Sequence, residues 1–183
     1  MLLGAALGLT WAAALRGYMV EIAGVTSSTV DWLGTFGLIL APGLVVGALL
    51  GWAEHIRRTG GRRGWRWLAL APLLFPICAL SVPGALALFL STGIGGGALG
   101  VALIGMLGGY AMAWRGPLAL RIVAGVLALL AVPGAIIGSL FAPTLAVTTP
   151  RGAWVAVLFL GLLFVLALAA SIPHRAVRTI PAD

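Results

Sequence analysis

From position 67 to position 114 the chain runs for 48 residues without one Asp, Glu, Lys or Arg. Roughly a quarter of an average globular chain is charged, so a water-soluble domain has no room for such a run. One membrane crossing needs about 20 apolar residues, so this stretch reads as two crossings and a turn. The glycine cluster Gly93, Gly95, Gly96 and Gly97 supplies the reversal point. Over all 183 residues the chain is 62% apolar and 8% charged, which leaves almost no mass for a soluble domain. The expected fold class is all-α: a polytopic bundle of transmembrane helices forming a single domain.

Counting apolar stretches gives about six spans, near residues 2–20, 32–53, 67–90, 97–114, 118–137 and 153–171. A basic connector fills 54–66 and a tail fills 172–183. The first stretch competes with a secretory signal peptide, but no basic segment precedes it, so it reads as a retained helix. Pro72, Pro76 and Pro83 fall inside the third span, which is expected to be kinked or to include a re-entrant piece. Residues 138–152, with Pro143, Thr144, Thr148, Thr149 and Pro150, read as a loop.

Arginine placement then orients the bundle. With 54–66 in the cytoplasm, Arg57, Arg58, Arg62, Arg63, Arg66, Arg115, Arg121, Arg175 and Arg178 fall inside, against Arg16 and Arg151 outside. Cytoplasmic loops carry the excess of basic residues, so both termini are expected in the cytoplasm. Interfacial aromatics agree: Trp52, Trp65, Trp67 and Trp114 at the inner boundary, Tyr18, Trp32 and Trp154 at the outer. Trp11 alone falls near mid-membrane. The same rule accounts for the net charge of +7, because no nucleic-acid-binding motif accompanies it. No nucleic-acid partner is expected.

Asn and Gln are absent, so helices here must be held without carboxamide hydrogen bonds. Gly43, Gly47 and Gly51 repeat every four residues, as do Gly105 with Gly109 and Gly134 with Gly138. Glycines so spaced share one helical face and let backbones approach closely, which marks helix–helix contacts. Pro42-Gly43 and Pro133-Gly134, each with a further glycine four residues on, form a faint echo between the halves of the chain, such as inverted repeats leave.

Chemistry has little to work with. The carboxylates are Glu21, Asp31, Glu54 and Asp183. Glu21 and Asp31 lie outside and Glu54 inside, separated by about 30 Å of hydrocarbon. The candidate outer polar site is Arg16, Tyr18, Glu21 and Asp31, with Ser27, Ser28 and Thr29 nearby. Five residues apart, Arg16 and Glu21 diverge by about 140° on an ideal helix, so they pair only if the helix breaks at Gly17. The bland alternative is an arginine snorkelling to lipid phosphate. Inside, Glu54, His55, Arg57, Arg58, Arg62, Arg63 and Arg66 are candidate contacts for anionic lipid. A metal site of Glu54, His55 and His174 fails on geometry, because adjacent Glu54 and His55 diverge on a helix. Gly95-Gly96-Gly97-Ala98-Leu99-Gly100 matches a dinucleotide fingerprint in form only, since neither a strand nor a later acid accompanies it. No catalytic residue, metal or cofactor is assigned. Cys78 reads as a small buried hydrophobe.

The segments Arg16-Gly17-Tyr18-Met19-Val20-Glu21, Gly34-Thr35-Phe36, Pro42-Gly43, Gly51-Trp52-Ala53-Glu54 and Arg62-Arg63-Gly64-Trp65 resemble small polytopic membrane proteins of high-GC Gram-positive bacteria. The resemblance covers about the first third of the chain. It implies an inner-membrane location and carries no activity or ligand. Three functions are expected in descending order: a non-enzymatic protein binding lipid, a membrane-protein partner or its own copies; a small-molecule transporter or channel; and a membrane enzyme acting on lipid or isoprenoid at the outer face.

Overall fold

A computed structural model describes residues 1–24, 28–92, 96–140 and 145–177, and their side chains apart from 92, 135 and 137–140. Ser27, Gly93, Gly95, Pro143, Thr144, Arg178, Asp183 and the surroundings of Gly138 lie outside the described residues. Everything described is helix, turn or connector, with no strand among these residues.

Helix α1 (Leu2–Ala23) runs unbroken through Gly17 and stops at Gly24, whose φ of 83° turns the chain and whose N–H returns to the Val20 carbonyl at 2.9 Å. The next helix begins at Asp31, whose carboxylate accepts the Gly34 N–H at 2.6 Å. Its first part, Trp32–Leu40, is π-helical and passes directly into α2 (Ala41–Arg58). Pro42 has no N–H to place, so the change from π to α register there leaves one donor fewer to satisfy.

After the Thr59–Gly64 turn the chain winds as a 3-10 helix, Trp65–Leu73, and then as α3 (Leu74–Leu80). Helix α4 (Ala85–Thr92) follows at a bend of 97°. Pro72, Pro76 and Pro83 each remove a backbone donor along this stretch, and Gly84 turns it with a φ of 83°. The third expected span is therefore bent at a break between α3 and α4.

Helices α5 (Gly96–Met112), α6 (Leu118–Leu129), α7 (Ala131–Leu140) and α8 (Pro150–Ala170) complete the bundle, with a closing 3-10 turn at Ile172–His174. The fifth expected span is divided between α6 and α7, because Pro133 cannot donate to the Leu129 carbonyl while Gly134 resumes the ladder on Leu130 at 3.1 Å. Thr149 caps α8 by accepting the Gly152 N–H at 3.1 Å, and Pro150 stands at its first turn, where no donor is missed. Among the described residues three helical stretches, Leu2–Ala23, Trp32–Arg58 and Pro150–His174, are long and apolar enough to cross a membrane, and the bent pair makes a fourth if it counts as one span. This is the make-up of a multi-pass membrane protein.

Two seams hold the bundle. Helices α1 and α2 pack antiparallel, Gly4 beside Gly51, Gly8 beside Gly47 and Ala12 beside Gly43. A Cβ built on Gly47 would stand 2.7 Å from the Gly8 Cα, so only hydrogen fits on either side. Helices α5 and α8 pack parallel: a Cβ on Gly105 would meet Leu166 Cγ at 2.6 Å, and one on Gly109 would meet Ala170 Cβ at 2.8 Å. Between the seams lies a core of Trp11, Leu15, Val46, Leu50, Phe75, Leu162 and Leu166. Trp11, out of place for an interfacial residue, is a core residue: its indole N–H donates to the Leu162 carbonyl at 2.8 Å and its ring tilts against Phe75 at 5.2 Å.

Candidate functional site

Polar side chains gather at the two ends of the bundle. At one end the start of α1 meets the last turns of α2, with the Met1 carbonyl by Gly51. The close of the described chain joins them: Arg57 Nη1 donates to the Ala176 carbonyl at 3.3 Å, and Val177 lies against Gly61. Tyr110, near the end of α5, meets the His174 ring edge-on at 5.4 Å. Arg121 of α6 donates to the Ala111 carbonyl at 3.2 Å and lies 5.1 Å from the Trp114 ring centroid. Arg175 Nε donates to Ser171 Oγ at 3.0 Å. At the opposite end lie Arg16, Tyr18, Glu21, Asp31 and Arg151.

The structure does not bring the outer group together as one site. Arg16 is a clasp. Its Nε donates to Thr35 Oγ1 at 3.3 Å, Nη1 to Ser28 Oγ at 2.8 Å and Nη2 to the Thr29 carbonyl at 2.6 Å. Three neutral oxygens thus tie the α1–α2 connector and the buried Thr35 of the π-helical turn to α1. Glu21 turns elsewhere, to Arg151 at the start of α8, with Nε to Oε2 at 3.2 Å. Asp31 is occupied as the helix cap. Since α1 does not break at Gly17, Arg16 and Glu21 stay apart.

Below this rim, α1, α5, α6, α7 and α8 enclose a cleft of about 560 Å³. Tyr18, Ile104, Leu130, Val155 and Phe159 are among its lining, and Tyr18 stacks on Phe159 with ring centroids 5.2 Å apart. Among the described residues, no ionisable group other than the Tyr18 phenol lines it. Such a wall suits hydrocarbon and gives no foothold for ion or proton movement.

At the basic end, Glu54 is fully engaged. Its Oε1 accepts Arg57 Nη2 at 2.7 Å and Arg58 Nε at 2.6 Å, while Oε2 accepts Arg57 Nε at 2.7 Å. His55 points outward on the same turn. Beyond them, the side chains of Arg62, Arg63 and Arg66 make no hydrogen bond or ion pair among the described residues. Arg62 and Arg66 face an open pocket of about 520 Å³ completed by Gly64, Trp65, Trp67, Ala69 and Leu70.

The glycines divide. Gly43, Gly47 and Gly51 press on α1, and Gly105 and Gly109 on α8, whereas a Cβ on Gly134 would meet nothing within 4 Å. Their partners Gly4, Gly8 and Ala12 carry the same four-residue spacing in the first span, a signal as plain as that in the second. The Glu21–Arg151 pair joins residues 130 positions apart and has no local signature. No group of three or more His, Cys, Asp or Glu side chains that could hold a metal occurs among the described residues. Comparison of the chain with protein-family models, with curated proteins and with solved structures finds no match.

Proposed function

We propose that this chain is a non-enzymatic membrane protein that crosses the bilayer six times, with both termini in the cytoplasm, and that it binds lipid or a membrane-protein partner. The observation that carries this reading is the sorting of its polar groups. Every carboxylate at the described ends is tied up in a fold contact: Glu21 to Arg151, Asp31 to the Gly34 N–H, Glu54 to Arg57 and Arg58. Catalysis at an outer site would need Arg16 and Glu21 to face a common point. They face different helices.

Chain direction supports the crossing number. Helix α1 leaves the basic end, α2 returns to it, the 3-10 and α3 stretch leaves again, α5 returns by Tyr110, α6 leaves, and α8 returns at His174. The reading takes α5, and α6 with the start of α7, as crossings although each is shorter than the three long stretches. The arginines gather where the positive-inside rule puts cytoplasm: Arg57, Arg58, Arg62, Arg63, Arg66, Arg121 and Arg175 all belong to one end, Arg16 and Arg151 to the other. A bacterial plasma-membrane location is part of the same proposal.

The transport reading draws on the broken third segment, since discontinuous helices form transporter sites. The apolar wall of the cleft weighs against it.

The test uses single-cysteine variants in a Cys78→Ser background and a membrane-impermeant thiol reagent on intact cells. Thr148→Cys is expected to label and Thr59→Cys to label only after lysis. External labelling of Thr59→Cys overturns the orientation. Turnover of a lipid substrate by purified protein, abolished in Glu21→Gln, overturns the non-enzymatic assignment.

A further inference from the structure

Resting on that topology, we infer that Arg62 and Arg66 with Trp65 and Trp67 form a site for the phosphate head group of an anionic lipid from the cytoplasmic leaflet. Three observations converge. First, charge is unbalanced there. Glu54 is saturated by Arg57 and Arg58, so no described carboxylate reaches Arg62, Arg63 or Arg66. Guanidinium groups are strong fork-shaped donors to phosphate oxygens, and an unpaired pair of them beside one cavity recruits an anion.

Second, the pocket has the polarity of a lipid. Arg62 and Arg66 line it together with Leu70, which is exposed one helical turn further along the segment. A soluble phosphate compound would leave that apolar part in water. A phospholipid covers it with its glycerol and first methylenes while the phosphate meets the arginines.

Third, the walls are rigid on one side and lipid-seeking on the other. Trp65 is only 8% exposed, seated with Ala53 and Ile56 against Trp52, Leu68, Ile172 and Val177. Gly64, at a φ of 79°, turns the chain into the 3-10 helix immediately before it. Trp67 is 76% exposed, and such an indole sits at the head-group level of a bilayer. In the 3-10 spiral, Trp67 and Leu70, both exposed, fall in register three residues apart, which aligns the head-group and methylene contacts.

Protein reconstituted in bilayers of phosphatidylcholine and phosphatidylglycerol, then released for native mass spectrometry, reads the lipids retained. Wild type is expected to retain phosphatidylglycerol above its bulk share. The double variant Arg62→Gln/Arg66→Gln should lose that enrichment by roughly tenfold or more, since each basic residue near an anionic surface contributes a factor of roughly five. Arg63→Gln, outside the pocket, should cost less than Arg62→Gln or Arg66→Gln alone. Glycerol 3-phosphate added in millimolar excess should not displace the lipid. Unchanged enrichment in the double variant overturns the site, as does an equal loss in Arg63→Gln, which is generic attraction. Displacement by glycerol 3-phosphate makes it a site for soluble phosphate instead. Because thiol labelling reads topology separately, failure here with correct labelling sinks the pocket and leaves the six-span reading standing.

Discussion

Arg16 shows how one residue type can serve opposite ends of a membrane protein differently. At the basic end, Arg62, Arg63 and Arg66 keep their donors free, while Arg16 commits three nitrogens to Ser28, Thr29 and Thr35. Replacing it by Ala leaves Thr35 Oγ1 without that donor and frees the connector. We expect Arg16→Ala to quicken backbone amide exchange at residues 28–31 while α1 below Leu15 is unaffected, as measured by hydrogen–deuterium exchange in detergent. Arg16→Lys should restore protection only in part, because a point ammonium cannot reach three divergent acceptors. Equal exchange in all three proteins would reduce Arg16 to an interfacial anchor.

At the level of elements, the α1–α2 seam is the most demanding contact. Two chains of glycines meet backbone to backbone, so any side chain added at Gly8 or Gly47 must drive the helices apart. Gly47→Val is expected to destabilise the protein by about 1–3 kcal/mol or more, the usual cost of overpacking. Gly134→Ala, in open space, should be near neutral. Thermal unfolding in detergent followed by circular dichroism distinguishes the two, and equal losses would mean that the seam is loose.

This seam was half legible in the sequence. The spacing of Gly43, Gly47 and Gly51 marks a packing face, but a spacing cannot name its partner. Trp11 illustrates the same limit: its sequence position contradicts the aromatic belt, and only the Leu162 carbonyl on a helix 151 residues away explains it. The kink of the third segment was readable, since three prolines remove donors whatever the tertiary context. The π-helical Trp32–Leu40 was not, because nothing in an apolar run of that kind separates i→i+5 from i→i+4 hydrogen bonding. The outer group was legible as a set of residue types and illegible as a geometry. Glu21 had two arginines within reach of its end of the bundle, and the choice between them depends on where α8 docks.

For the molecule as a whole, the proposed orientation rests on an imbalance of nine arginines against two. Val147→Arg/Thr148→Arg adds two cations to the sparse end, both at exposed positions. The count becomes nine against four, and retention of this connector in the cytoplasm begins to compete with crossing. We expect lower abundance and a fraction of molecules in which Thr59→Cys labels from outside. Unaltered labelling at unaltered abundance would show that α8 is held by packing alone.

The glycine seam has one more implication, for motion. Rotamer changes let ordinary helix pairs slide, but Gly4, Gly8, Gly43, Gly47 and Gly51 have no side chains to rearrange. The first two helices should therefore travel as a single stiff hairpin. Any breathing of the cleft then belongs to the opposite wall, where α6 and α7 meet at a proline-weakened joint and Gly134 faces empty space.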